Sequence, residues 1–176
     1  MTEGVAIHYR EDASLTEQED SELRRLLFSC FPHEPLFLKR RYLKERPLHR
    51  WLVSDGGRII AHSAVHEKIL GSASGEIRIG GIAEVCVSTK HRGRGLAKEM
   101  LNAIHAWLPA NGIAFAVLFG HPRVYLSSGY SVIRNELSCE NALLRQLNPF
   151  GGKPMVRRLT EAPWPAGLID LRGPSW

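Results

Sequence analysis

The segment Arg92-Gly93-Arg94-Gly95-Leu96-Ala97 constrains this chain more than any other. The apolar extended run Ile82-Ala83-Glu84-Val85-Cys86-Val87 precedes it, and Ala97, Met100, Leu101, Ile104, Trp107 and Leu108 follow as a helical stripe. A strand that turns through glycines into a helix points several backbone N–H groups, and the positive end of a helix dipole, at one spot. A phosphate group suits that spot. Gly93 and Gly95 let the backbone take positive φ without strain and approach a ligand closely.

Two phosphate-loop patterns do not apply. No Lys-Ser/Thr follows Gly95, as a P-loop needs, and the three glycines and later acidic residue of a dinucleotide turn are missing. The remaining pattern, Arg-x-x-Gly-x-Ala at Arg92, Gly95 and Ala97, resembles the acyl-CoA loop of the GCN5-related N-acetyltransferases (GNAT). A second segment, His121-Pro122-Arg123-Val124-Tyr125-Leu126-Ser127-Ser128-Gly129-Tyr130, lies one strand further on. It is similar to the family's short helix with a tyrosine four residues before a Gly-aromatic pair. The likeness covers roughly residues 50 to 135. It implies an α/β architecture, the GNAT fold, with a mixed and mostly antiparallel twisted sheet flanked by helices on both faces. A single N-acetyltransferase domain over residues 1–176 is expected.

Composition agrees with an ordinary globule, 44% hydrophobic and 23% charged. No basic start followed by an apolar core opens the chain, and no run approaches the roughly 20 apolar residues that span a bilayer. Cys30, Cys86 and Cys139 are odd in number and widely spaced, so neither zinc nor a disulfide framework is indicated. A cytoplasmic location is expected. The net charge of +5 suits a multiply phosphorylated co-substrate, and the basic residues form no block with interleaved aromatics. The expected partner is a small-molecule amine, with no nucleic acid, no membrane and no metal; a homodimer is left open.

Along the chain, residues 4–10 read as a first strand, and Thr16-Glu17-Gln18-Glu19 fits a capping box before a helix with Leu23, Leu26, Leu27, Cys30 and Phe31 on one face. A looser helix is expected over residues 36–45, with Arg41 and Lys44 on its solvated side. Residues 51–54 and 58–69 read as a hairpin through Asp55-Gly56, and residues 76–88 as a long strand. The helix after Gly93 should stop near Pro109-Ala110-Asn111-Gly112 before a strand over 113–119. Last strands are expected at 131–135 and 155–159, around a loop holding Asn148-Pro149-Phe150-Gly151-Gly152.

The resemblance also implies a chemistry. The acyl-pantetheine arm pairs with the backbone at Val85, Cys86 and Val87, and the pyrophosphate rests on residues 92–97: Arg92, Gly93, Arg94, Gly95, Leu96 and Ala97. Backbone N–H groups on this strand hold the developing oxyanion, a contribution of about 3–4 kcal/mol per donor in hydrolases. Tyr125 matches the family tyrosine that faces the coenzyme sulfur. A phenol that titrates near about 10 is protonated at neutral pH and can donate to a departing thiolate. The alternative for Tyr125 is a core tyrosine packed on the helix. Glu84, an isolated carboxylate in an apolar strand, is the candidate base, since such a group is costly unless partnered or set at a cleft. His62, His66 and His121 are its rivals, and an acyl-cysteine at Cys86 is a further alternative. Ala83 and Glu84 would border the acceptor.

The tail from Trp164 to Trp176 is too apolar for a frayed end. It resembles the tails of rhizobial nodulation-factor N-acyltransferases and of aminoglycoside N-acetyltransferases, as does Ile59-Ile60-Ala61-His62-Ser63-Ala64-Val65 for the latter. By that likeness Asp170 and the Trp176 carboxylate attract an ammonium substrate; the alternative is an ordered tail that caps the core. The expected co-substrate is acetyl-CoA and the expected reaction acetyl transfer to a primary amine, on an amino sugar or a related metabolite, by direct attack in a ternary complex. A longer acyl-CoA acting on an amino sugar, or a non-catalytic acyl-CoA-binding module, are the competing readings.

Overall fold

The computed structural model describes residues 6–139, 142–143 and 152–176. Gly4 and Val5 of the expected first strand, and Asn148 to Gly151 of the expected late loop, lie outside the described residues. The chain forms two compact units, Met1–His66 with Ala83–Ile104, and Glu67–Ile82 with His105–Trp176.

In the first unit, α1 (Glu17–Cys30) opens on the expected capping box. The Glu19 N–H donates to Thr16 Oγ1 at 3.1 Å, and the Thr16 N–H donates back to Glu19 Oε2 at 2.9 Å. Leu23, Leu26 and Leu27 are fully buried and pack with Phe37, Leu52, Ile59 and Cys86. Strand β1 (Ile7–Glu11) pairs antiparallel with β2 (His49–Asp55), and β2 with β3 (Arg58–Ser72). The β2–β3 turn carries Gly56 and Gly57 at φ 54° and 77°, the geometry a two-residue hairpin demands.

The expected helix over residues 36–45 does not form. A single 3-10 turn spans Pro35–Leu38, and irregular chain follows to Leu48. Arg41 is drawn to Asp12 and Asp20, with its Nε and Nη2 2.8 Å from the Asp12 carboxylate and its Nη1 2.7 Å from Asp20 Oδ1. Arg46 reaches the same Asp12 carboxylate. Tertiary ion pairs override a modest helical preference here, and Arg41 faces inward rather than to solvent.

Strand β4 (Gly75–Val87), which belongs to the second unit as far as Ile82, enters from a two-residue turn after β3 and pairs parallel with β5 (Phe115–Gly120). That ladder runs from Ile79↔Phe115 to Ile82↔Leu118 and stops there. Helix α2 (Leu96–Ala110) lies between β4 and β5 in the chain and ends where Pro109 and Gly112 predict. Strand β9 (Lys153–Arg158) pairs antiparallel with β5, and the short β6 (Ser131–Val132) with β9. Strand β10 (Ile169–Asp170) pairs antiparallel with the end of β3 and parallel with β7 (Leu137–Cys139), which pairs with β8 (Ala142–Leu143). The tail is therefore a strand of the sheet, with Ile169 and Leu171 buried beside Leu70, Ile77, Leu137 and Cys139. Strands of two or three residues carry no periodicity to read. The architecture is α/β, a mixed, mostly antiparallel sheet with flanking helices.

Candidate active site

The turn between β4 and α2 is built as its residue types require. The Ser88 N–H donates to Ile60 O at 2.8 Å, a 3-10 turn covers Thr89–His91, and Arg92 Nε donates to Val87 O at 3.1 Å. Gly93 and Gly95 stand at φ 76° and 80°. A Cβ on Gly95 would meet nothing closer than Glu99 Oε1 at 3.9 Å, so the protein asks for glycine on conformation rather than space. The Glu99 N–H donates to Gly95 O at 3.0 Å, which makes Gly95 the residue that starts α2. The amides of the first turn of a helix have no intrahelical acceptor, and the dipole adds positive potential at the same place. Arg92, Gly93, Arg94 and Gly95 are exposed there, whereas Leu96 is buried and anchors the turn and Ala97 is half-buried. The arrangement suits a pyrophosphate.

Upstream of the turn, Glu84 breaks the alternation of β4. Its φ is 52°, left-handed for a non-glycine residue inside a strand. Such a residue costs on the order of 1–3 kcal/mol and persists only where neighbours hold it. His62 holds it. Arg50 Nη1 donates to His62 Nε2 at 2.8 Å, so the ring proton sits on Nδ1 and is donated to Glu84 O at 3.1 Å. Burial, helped by the adjacent Arg50 guanidinium, pushes the His62 pKa far down, so the ring is neutral. The Glu84 side chain is 11% exposed, with Oε2 3.6 Å from Arg50 Nη1, too long for a hydrogen bond. Among the described residues Oε2 has no hydrogen-bond partner. Burial pushes the Glu84 carboxyl up to about 7, against the pull of Arg50 and of the Leu43 backbone N–H.

Arg50 and Asp12 were not singled out from the sequence. Arg50 is fully buried, and its Nε lies 2.5 Å from Asp12 Oδ1. The available signal was a charged residue opening the apolar strand Trp51-Leu52-Val53. Of the histidine rivals, His66 is buried on β3, and His121 caps the short helix α3 (Pro122–Tyr125), accepting from the Arg123 N–H. Among the neighbours of Glu84 on β4, Ala83 and Cys86 are buried and Val85 and Val87 half-buried. The Cys86 thiol is pushed well up by the Cys30 thiol beside it and by burial, which disfavours the thiolate an acyl-cysteine would need.

In the second unit, Tyr125 ends α3 half-buried, its ring edge-on to Tyr130 with centroids 6.0 Å apart. A Cβ at position 120 would lie 2.4 Å from Tyr125 Cε2, so Gly120 leaves room for this ring. Tyr130 is buried and structural: Arg157 Nη1 donates to His105 Nδ1 at 2.9 Å, and the neutral ring donates from Nε2 to Tyr130 Oη at 2.8 Å. Burial, reinforced by Arg157, lowers the His105 pKa to about 4, in keeping with that tautomer.

The tail ends on β4. A Cβ at position 81 would come within 2.5 Å of Trp176 Cε2, and the Trp176 ring meets Phe119 edge-on at 5.2 Å. Lys68 Nζ lies 5.3 Å over the indole and donates to Pro174 O at 3.0 Å. The buried Trp176 Nε1–H has no acceptor among the described residues. Asp170 accepts from Ser138 Oγ at 3.1 Å and from the Arg172 N–H at 3.0 Å, so its carboxylate ties the tail together. Among the described residues no group of three or more His, Cys, Asp or Glu is placed to hold a metal ion. Among the same residues no helix is long and apolar enough to cross a membrane.

A glycine turn at a helix N-terminus, next to a strand carrying a buried carboxylate, is compatible with an acyl-CoA loop. The chain belongs to the GNAT acetyltransferases: the model of the acetyltransferase (GNAT) domain matches residues 13–133. Among solved structures, the GNAT family N-acetyltransferase YhbS from Escherichia coli, in complex with CoA, superposes with a TM-score of 0.66 at 18% identity, over 97% of this chain and 92% of that one. An acyl-CoA N-acyltransferase from Pseudomonas aeruginosa gives 0.61 at 19% identity, over 88% and 99%. ElaA from Escherichia coli gives 0.60 at 16%, over 88% and 100%. At such identities the likeness shows the fold alone. No curated protein matches the chain by sequence.

Proposed function

We propose that this protein moves an acetyl group from acetyl-CoA to the primary amine of a small acceptor, an amino sugar or a related metabolite, by direct attack in a ternary complex. The observation that carries the reading is Glu84: a buried carboxylate with one oxygen unbonded and a proton affinity near neutrality. Glu84 takes the proton from the acceptor ammonium, so the amine attacks as the neutral base. The backbone at Val85, Cys86 and Val87 positions the thioester and receives the charge that builds on its oxygen. As the new C–N bond forms and the C–S bond breaks, Tyr125 gives its proton to the departing thiolate, and the second proton, shed by the nitrogen as it becomes the amide, returns through solvent to the tyrosinate. The turn from Arg92 to Ala97 binds the pyrophosphate. YhbS binding CoA supports the choice of co-substrate.

A matrix of acetyl-, butyryl- and longer acyl-CoA against a panel of amines and amino sugars, read by thiol release, tests this. Turnover with acetyl-CoA is expected on an amino sugar. Preference for a long acyl chain would replace acetyl transfer, and tight acetyl-CoA binding without turnover on any amine would make the protein a binding module.

Two further results are expected. Tyr125→Phe lowers kcat by about tenfold or more with little change in the KM for acetyl-CoA, because the hydroxyl acts only as the thiolate leaves. An equal loss of stability with unchanged kinetics would return Tyr125 to the core. Gly81→Val displaces the Trp176 ring, since a Cβ there has no room. With Trp176 and Asp170 on the acceptor side, that variant and deletion of Trp176 both raise the KM for the amine severalfold and leave acetyl-CoA affinity unchanged. A matching loss of coenzyme affinity would remove the tail from acceptor binding.

A further inference from the structure

Four groups on four segments form one buried line in the first unit. Asp12 is 1% exposed and accepts from Arg41, Arg46 and Arg50. Arg50 spends Nε on Asp12, Nη2 on Arg41 O at 2.8 Å and Nη1 on His62. Three of its nitrogens are thus engaged elsewhere, and Nη1, bonded to His62, stands 3.6 Å from Glu84 Oε2, an ion pair without a short hydrogen bond. Yet Arg50 is the cation nearest to that carboxylate, and a buried carboxylate beside a buried arginine ordinarily closes into a short bidentate pair. Asp12 prevents it.

We propose that Asp12 is a positioning residue for Glu84: by holding Arg50 from the opposite side, it keeps the Glu84 carboxylate out of a closed ion pair and available as a proton acceptor. The proposal rests on the reading of Glu84 as the base. The charged and titratable groups around Glu84 are Arg50 on β2, His62 on β3, Cys86 on β4, and Asp12, which is itself bound to Arg41 and Arg46. His62 is neutral and the Cys86 thiol stays protonated, so neither answers for the charge balance. Burial raises Glu84, Arg50 lowers it and Asp12 raises it, the same division of labour that the distances show. Burial alone would also raise Asp12, but its arginines hold it well below the carboxylate range, so it stays ionised in this role.

The test uses two variants with opposite expected signs. In Asp12→Asn, Arg50 is released to Glu84 and a nearby anion is lost, so the Glu84 titration moves down by about one pH unit or more. In Arg50→Met the cation is lost, and the titration moves up by a similar amount; one pH unit is a tenfold change in proton affinity. The titration is followed by carbon-13 NMR of glutamate-labelled full-length protein, with the Glu84 signal assigned by its loss in Glu84→Gln. The pH dependence of kcat is recorded alongside. A merely structural role would move both variants the same way or not at all, and either result overturns the proposal. If Asp12→Asn does not fold, the upward shift in Arg50→Met decides alone. If the carboxyl titration shifts as expected while the rate profile stays in place, Glu84 is not the base, but the hold of Asp12 on it stands.

Discussion

Glu84→Gln should lose activity and gain stability, the second only on the alkaline side. Glutamine cannot accept the proton of the attacking amine, and loss of a positioned base costs about 10²–10⁴-fold in rate. In the unaltered protein kcat is expected to rise with pH through a midpoint near 7, where the Glu84 carboxyl gives up its proton. In the variant that limb disappears. A limb left in place would pass the role to water, His66 or His121; His62 is neutral throughout this range and is not a candidate.

The stability effect follows from the same burial. The folded state holds the Glu84 proton more tightly than the unfolded chain, whose carboxyl titrates at 4.5 against about 7 in the fold. The stability from the buried neutral acid is complete below 4.5 and is lost as pH rises through 7. At about 1.4 kcal/mol per pH unit the loss approaches about 3 kcal/mol by pH 8. Glutamine is spared it. Urea unfolding at pH 5 and pH 8 should show the variant ahead of the parent by far more at pH 8. Equal offsets at both pH values would mean that Glu84 ionises without strain.

Gly95→Val should abolish useful acetyl-CoA binding in a protein that still folds. Position 95 is at φ 80°, where a β-branched residue is strained, and its carbonyl accepts the first bond of α2. The variant is expected to escape strain by shifting the turn, which rotates the amides of residues 95–97 out of the proposed pyrophosphate site. A loss of tenfold or more, about 1.4 kcal/mol or above, is expected by calorimetry. The far-ultraviolet circular dichroism should be unchanged, because the buried stripe Met100, Leu101 and Ile104 still secures the helix. Unchanged affinity in a folded Gly95→Val protein would move the phosphate site elsewhere.

Elements with a local cause were legible. The capping box at Thr16 and Glu19, the Asp55-Gly56 hairpin, the stripe of α2 and its end at Pro109 each depend on residues within a turn or two of one another. The glycine turn was legible for the same reason, since only glycine accepts φ near 80° cheaply. Glu84 stood out as a charge in an apolar run. Its environment did not, because His62 and Arg50 reach it from other strands, and Arg50 is bound in turn to an aspartate 38 positions away. The expected helix over residues 36–45 failed on the same account.

The sequence by itself determined the strand, turn and helix proposed to bind the pyrophosphate, the order of the elements around them, and so the family. Those are short-range matters of periodicity, capping and φ. The tertiary structure decided what surrounds the carboxylate on that strand: left-handed backbone at Glu84, a neutral histidine that braces it, and an arginine 3.6 Å away that is itself bound to Asp12. It also decided that the tail enters the sheet beside β3 and β7, with Trp176 seated on Gly81. Proton affinity, strand register at a sheet edge and the seat of an indole ring are set by desolvation and contact across the fold, and no local pattern encodes them.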